Sequence, residues 1–153
     1  MFIPRWYQQE CVDALFAWFA ENVLGHPLLL LPTGTGKSWL PAMIAKRVHE
    51  VAPTCRILVS AHVQELVEQN LEKFSILNST SPVGVCCAGL RKNDVSKRST
   101  FGSIGSLKNQ AVNLGHIDLM IIDEAHMISP NQTTMYRALI QTLQKTNPCL
   151  RVI

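Results

Sequence analysis

The feature that most constrains this chain is a glycine-bearing run, residues 31–38, with the sequence Leu-Pro-Thr-Gly-Thr-Gly-Lys-Ser. It follows an apolar run and precedes a helical pattern. Glycines let successive backbone N–H groups turn toward one point, and the following helix adds the positive end of its dipole. The run therefore predicts a phosphate cradle between a strand and a helix, with Lys37 on the β- and γ-phosphates. Leu31 stands where the general pattern has glycine, but the two inner glycines still supply the turn.

A second run, residues 121–126, places two adjacent carboxylates at the end of an apolar strand. Asp123 would hold a divalent cation, directly or through water, together with the Ser38 hydroxyl. Glu124 would orient and deprotonate the attacking water. The alternative is that both acids are only solvated residues at the end of a strand. The phosphate loop earlier in the chain argues against this alternative. His126 is either a capping or packing group, or a residue that hydrogen-bonds to a partner domain and senses the nucleotide.

Composition predicts one globular domain. The chain has 153 residues, of which 47% are hydrophobic and 16% charged, so it can bury a sizeable core. A formal charge of +3 is compatible with a polyanionic partner but is weak evidence for one. No run has the length of a membrane span and no secretory signal is evident, so we expect a soluble, cytoplasmic protein with no membrane partner.

Hydrophobic periodicity predicts alternating strands and helices. The predicted helices cover residues 7–22, the stretch after Lys37 with Pro41 in its first turn, 63–77, 103–112 and 133–145. The predicted strands cover residues 28–31, 56–60, 83–87, 117–122 and a last one beginning at 150–153. Residues 88–99 are predicted to form an exposed basic loop. This alternation indicates an α/β fold with a parallel sheet covered on both faces.

These motifs resemble the first RecA-like domain of superfamily 2 helicases and translocases of the DEAH-box group. The resemblance is greatest to motor subunits of restriction enzymes and to DNA-repair and phage helicases. It implies a P-loop NTPase with a three-layer α/β/α arrangement and a mainly parallel sheet, formed by residues 1–153 as one domain. It also implies ATP and Mg²⁺ as cofactors, with Lys37, Asp123, Glu124 and His126 as the catalytic group.

The resemblance extends to the segment ahead of the first helix, where the family has an Arg-x-Tyr-Gln element. It implies that Gln8 reads adenine, with Arg5 and Tyr7 beside the base. An amphipathic helix with a polar first turn would explain these residues equally well. The remaining implied nucleotide contacts are those of the phosphate loop: Pro32, Thr33, Gly34, Thr35, Gly36, Lys37 and Ser38.

Two further segments resemble the family's contacts to the nucleic-acid backbone. The first follows the predicted strand 56–60 and implies contacts by Ser60, Ala61 and His62; the second implies contacts by Ser103 and Ser106. Caps between strands and helices are the alternative interpretation of both. The form of the motifs favours DNA over RNA as the partner.

The chain stops before the family's next motif, and the second RecA-like domain, which the family normally has in the same chain, is absent. We therefore expect an incomplete domain that is either a fragment of a larger motor or a natural truncation. The second domain supplies arginines to the γ-phosphate, so we expect this polypeptide alone to hydrolyse ATP slowly and not to unwind duplexes. We also expect self-association through sheet edges normally covered by the rest of the motor. Two alternatives remain open at this point: another P-loop enzyme such as a small-molecule kinase, and a nucleotide- or nucleic-acid-binding module without meaningful catalysis.

Overall fold

The computed structural model describes residues 2–22, 25–128 and 135–153. Its helices are α1 (Trp6–Glu21), α2 (Leu40–Val51), α3 (Gln64–Leu77), α4 (Ile104–Asn109), α5 (Ala111–Leu114) and α6 (Met135–Thr146). Its strands are β1 (Ile57–Ala61), β2 (Val83–Cys87), β3 (Lys92–Asn93), β4 (Ser99–Ser103), β5 (Leu119–Ile122) and β6 (Arg151–Val152). No helix in these ranges is both long and apolar enough to cross a membrane.

The strands form one sheet in the order β3-β2-β4-β1-β5-β6. Every pair is parallel except β2 with β3, which is antiparallel. The carboxyl ends of β1, β2, β4 and β5 therefore meet at one edge, where ligands of open α/β sheets bind. The predicted α/β fold with a mainly parallel sheet is confirmed.

Two apolar cores lie on opposite faces of the sheet, giving three layers. Along β1, Val59 belongs to the core under α1, α2 and α3, whereas Leu58 belongs to the core under α4, α5 and α6. Along β5, Ile121 and Met120 divide in the same way. This alternation follows from the two-residue period of a strand. Both faces are buried, as expected for a parallel sheet.

The predicted strand at residues 28–31 is wrong, because these residues pair with no strand of the sheet. Leu28 and Leu30 are 62% and 83% exposed. The strand facing this segment is β6, which has only two residues. The backbone N–H of Val152 is directed away from β5 and donates to Nδ1 of His26 at 3.2 Å. The N–H group that β6 would need to pair with residues 28–31 therefore already donates to a side chain.

The structure also contains a central strand that the hydrophobic pattern does not predict. β4 pairs with β1 on one side and β2 on the other, yet Phe101 is its one large apolar residue. Small side chains are required here, because a Cβ on Gly102 would lie 2.4 Å from the carbonyl oxygen of Cys86 and 2.8 Å from Leu107. The close approach of β2 and α4 therefore requires glycine at position 102, and β4 lacks the apolar run that predicts a buried strand.

The other predicted elements agree with the structure to within a few residues, with two adjustments. The segment predicted as the loop 88–99 includes β3 and the first residue of β4. The segment predicted as the helix 103–112 is divided into α4 and α5. Residues 133–134 of the last predicted helix lie outside the described residues, and α6 begins at Met135.

Candidate active site

The phosphate loop has the backbone conformation that its glycines permit. Gly34 and Gly36 have φ angles of +81° and +74°, in the left-handed region that other residues rarely adopt. Thr35 Oγ1 donates to the carbonyl oxygen of Pro32 at 2.7 Å, which closes the turn. Gly36 then precedes a 3₁₀ turn, Lys37–Trp39, that leads into α2. The loop therefore lies at the start of a helix, as the sequence predicts.

The Tyr7 and Gln8 side chains contact this loop directly, and Arg5 contacts both of these residues. Gln8 Nε2 donates to the carbonyl oxygens of Thr35 and Gly36 at 2.9 and 3.2 Å, and Gln8 Oε1 accepts from the Arg5 N–H at 3.0 Å. The Tyr7 hydroxyl also donates to the Thr35 carbonyl, and it accepts from Arg5 Nη1 at 2.8 Å. Because a Cβ on Gly36 would lie 2.8 Å from Gln8 Nε2, only glycine permits this contact.

A cavity of about 190 Å³ lies beside this contact. Arg5, Gln8, Gly34 and Gly36 line it together with the aromatic and apolar side chains of Phe2, Ile3 and Trp39. The Phe2 and Trp39 rings are stacked with their centroids 3.6 Å apart. Aromatic walls with a few polar groups at the edge are typical of sites for planar heterocycles.

The two carboxylates follow β5 and meet the phosphate-loop lysine in a second cavity of about 280 Å³. Lys37, Asp123, Glu124 and His126 line its polar end, and apolar residues of 28–31, α2 and β5 line the rest. Ser38 is half-buried beside Lys37 but is not among the lining residues. The structure therefore brings together the four predicted catalytic residues and leaves the predicted serine ligand just outside their cavity.

Backbone and side-chain contacts fix Asp123. Its N–H donates to the Ser60 carbonyl at 2.9 Å, which continues the pairing of β5 with β1. Its Oδ2 accepts a hydrogen bond of 3.0 Å from Asn70 Nδ2 on α3. Within the described residues no hydrogen bond involves Asp123 Oδ1, so one carboxylate oxygen is available to a ligand.

Glu124 has φ +62°, a left-handed conformation that is uncommon for a residue with a side chain. Its Oε2 lies 3.1 Å from Nδ1 of His126, whose side chain is 70% exposed. Backbone strain of this kind concentrates at functional sites, because the surrounding structure must hold it. The histidine thus contacts the neighbouring carboxylate and also reaches solvent at the mouth of the cavity.

The sequence predicts the helix 63–77 that carries Asn70, but it does not indicate the contact of Asn70 with Asp123. Asn70 is 1% exposed and lies between Val67 and Phe74 on the buried face of α3. A polar residue within an apolar stripe was the available signal, since buried amides normally have a specific partner. On the opposite face of the sheet, burial raises the pKa of Tyr136; the Ser60 hydroxyl opposes this rise and the Asp123 carboxylate adds to it.

The residues predicted to contact nucleic acid are distributed unevenly between surface and interior. His62 is exposed, but Ser60 and Ala61 are 0% and 1% exposed, because β1 is central and covered on both faces. Of these three residues, only His62 therefore presents its side chain to solvent. Ser103 and Ser106 are half-buried, and their hydroxyls hydrogen-bond to each other at 3.0 Å.

Comparison with known proteins places this site in a family. The family described as "Type III restriction enzyme, res subunit" matches residues 1–151. The chain belongs to this family. It is 27% identical over 146 residues to the ATP-dependent DNA helicase mph1 of Aspergillus fumigatus, and 26% identical over 171 aligned positions to the ATP-dependent RNA helicase DHX58 of Mus musculus. These alignments cover 88% and 97% of this chain, but only 13% and 24% of the relatives.

Solved structures show the same fold in larger chains. The UvsW helicase from bacteriophage T4 matches with a TM-score of 0.71 and 22% identity, over 99% of this chain and 51% of UvsW. The Type ISP restriction-modification enzyme LlaGI matches with a TM-score of 0.61 and 18% identity, over 82% of this chain and 15% of LlaGI. The predicted RecA-like arrangement and the predicted family are confirmed.

Proposed function

We propose that this chain is the ATP-binding first motor domain of an ATP-dependent DNA helicase or translocase. The observation that carries the proposal is the shared cavity, in which Lys37 from the phosphate loop faces Asp123 and Glu124 from the end of β5. The relatives named above are ATP-dependent helicases, which supports the same reaction here. A strand-end pair of acids opposite a phosphate-loop lysine suits hydrolysis of a nucleoside triphosphate.

Each residue of the site has a role that its chemistry permits. Lys37 and the backbone of residues 32–36 would bind the phosphates, and Glu124 would take the proton of the attacking water. Ser38 and the available Oδ1 of Asp123 are hard oxygen ligands, which fit Mg²⁺. A cation held there would neutralise charge on the β- and γ-phosphates. His126 contacts the Glu124 carboxylate and is exposed. It would therefore hydrogen-bond to a partner domain and link that domain to the nucleotide site.

The smaller cavity beside the loop is the proposed adenine site. Its aromatic walls would stack on the base, and Arg5 with Tyr7 would border it. Gln8 already donates both amide hydrogens to loop carbonyls, so adenine would engage its Oε1 or displace one of those bonds. Base recognition and phosphate-loop geometry are therefore coupled through this one amide.

His62, Ser103 and Ser106 remain the proposed nucleic-acid contacts, at the same sheet edge as the nucleotide site. Both a DNA helicase and an RNA helicase are among the relatives, and the motif pattern favours DNA. A second RecA-like domain would complete the motor, since this chain corresponds to 51% of the UvsW chain. Self-association through exposed sheet edges stays a prediction.

The test of the proposal compares ATP hydrolysis by this chain and by a version that also carries a second RecA-like domain, each with and without single-stranded DNA. We expect the 153-residue chain to bind ATP, to hydrolyse it slowly and to show no stimulation. The two-domain version should turn over about 10³–10⁵ times faster, because an arginine contributed across the cleft stabilises the transition state. Phosphoryl transfer to a small acceptor, or no turnover by either version, would contradict a motor.

Asn70 gives a prediction about the metal ligand itself. Replacing Asn70 by Ala removes the hydrogen bond that orients Asp123, so we expect the affinity for the divalent cation to fall about 10- to 100-fold. The measurement is Mn²⁺ binding in the presence of a non-hydrolysable ATP analogue, followed by electron paramagnetic resonance. Binding of the analogue in EDTA should change little, because Asn70 does not line either cavity.

Asn78 provides the matched control for this experiment. It is a buried asparagine that directly follows the same helix, and it donates to the carbonyls of Ala42 and Phe74 at 3.2 and 3.3 Å, away from the carboxylates. The Asn78→Ala variant should lose stability but keep its Mn²⁺ affinity. Equal losses of Mn²⁺ affinity in both variants would show that Asn70 acts only through stability.

A further inference from the structure

The basic residues of segment 88–99 separate to opposite ends of the sheet. Lys97 and Arg98 lie at the end where the parallel strands begin, since the Arg98 carbonyl accepts from the first residue of β1 at 2.7 Å. Both have partners there: Lys97 Nζ is 3.9 Å from the Asp94 carboxylate, and Arg98 donates to the Pro53 carbonyl. These two cations therefore stabilise the turns at that end.

Arg91 and Lys92 lie at the opposite end, where the parallel strands finish. Lys92 is opposite Cys87, the last residue of β2, and Arg91 precedes it in the connecting turn with φ +53°. Both side chains are exposed. In the described part of the chain, neither has an ion pair or a side-chain hydrogen bond. Two positive charges thus stand without partners at the edge that carries the nucleotide site.

The turn that carries them is fixed to the serines proposed to contact nucleic acid. The Ala88 N–H donates to Ser106 Oγ at 2.9 Å, and Ser103 Oγ donates to the same oxygen at 3.0 Å. The sheet order makes β1, β4, β2 and β3 successive neighbours. With strands about 4.8 Å apart, His62, the two serines and Lys92 form a row of about 14 Å along one edge.

We propose that Arg91 and Lys92 bind phosphates of a single-stranded nucleic acid, extending the contact surface from β1 to the β2–β3 turn. This inference rests on the proposed function, because it assumes that the strand follows this edge. Serine hydroxyls and backbone N–H groups supply short neutral contacts there, whereas Arg91 and Lys92 supply charge that the rest of the row lacks. Contacts of this kind give affinity that depends on salt rather than on base sequence.

The test measures binding of fluorescein-labelled oligo(dT) by anisotropy at several salt concentrations. The variant is Arg91→Asn with Lys92→Gln; asparagine is chosen because it tolerates the left-handed conformation of residue 91. Losing two phosphate contacts to a single strand should lower the slope of log affinity against log salt by about 1.4. Between 50 and 200 mM salt, the parent should therefore lose about sevenfold more affinity than the variant.

The matched control is Lys97→Gln with Arg98→Gln, which removes two charges from the other end of the sheet. Both double variants change the formal charge of +3 by the same amount, so net charge alone cannot distinguish them. The control should keep the parental slope. An unchanged slope in the Arg91/Lys92 variant, or equal changes in both, would overturn the inference and leave nucleic-acid binding intact. A parent that binds ATP but no oligo(dT) would overturn this inference together with the nucleic-acid part of the proposed function.

Discussion

Replacing Phe101 by Ala is expected to lower the free energy of unfolding by about 3–5 kcal/mol. Phe101 lies in the middle of β4, is 0% exposed, and has its ring centroid 5.1 Å from that of Phe74 on α3. The substitution removes a buried ring from a close-packed core and leaves a cavity between β4 and the helix that carries Asn70. Since a domain is stable by only about 5–15 kcal/mol, this change alone would remove a large share.

Urea denaturation followed by circular dichroism measures this loss. Ile76→Ala is the control, because Ile76 is on the same helix as Phe74 but is 51% exposed. Surface substitutions of that kind change stability by less than about 0.5 kcal/mol. If the Phe101 variant lost no more stability than the Ile76 variant, α3 would not pack against β4 in solution as it does here.

The parts of the site that the sequence predicted are those determined by short, contiguous patterns. Hydrophobicity alone predicts that the apolar run before Asp123 is a strand. This run forms β5, and the two carboxylates follow it. The glycines of the phosphate loop predict left-handed backbone, and Gly34 and Gly36 have it. Strand–helix alternation also predicts that the parallel strands end at one edge, and Lys37 meets the acids there although the strand predicted before its loop does not form.

The parts that could not be predicted depend on contacts between residues far apart in the chain. Residues 28–31 look like a buried strand by composition, yet a strand also needs a neighbour with free backbone groups. Here the outward N–H of Val152 is taken by His26, 126 positions earlier in the sequence. No local pattern reports whether a pairing partner is available, so this error has a physical cause.

Asn70 and β4 show the same limitation in two other forms. The hydrogen bond from Asn70 to Asp123 spans 53 positions, so the sequence shows only an amide on an apolar helix face. β4 is a strand because it has neighbours on both sides, since only Thr100 and Phe101 among its five residues are of types that favour strands. Long-range geometry thus determines which residues orient the candidate catalytic groups, whereas local sequence determines where those groups occur in the chain.

Replacing Lys37 by Ala is expected to weaken ATP binding by about 10- to 200-fold. Lys37 is half-buried in the cavity that it shares with Asp123 and Glu124, and it follows the left-handed turn at Gly36. A hydrogen bond to a charged group contributes about 1.5–3 kcal/mol, which corresponds to that range. The loss should be larger for ATP than for AMP, because the proposed role of the lysine is to bind the outer phosphates and not the base.

Titration with fluorescent ATP and AMP analogues measures both affinities, and Lys46→Ala is the matched control. Lys46 lies on α2, the helix that follows the phosphate loop, but it is exposed and lines neither the proposed adenine cavity nor the cavity that contains Asp123 and Glu124. Its removal changes the net charge equally and should leave both affinities unchanged. Equal weakening of ATP and AMP in the Lys37 variant would indicate a general loss of structure. Unchanged ATP binding would mean that the triphosphate lies elsewhere, and the proposed motor site would be wrong.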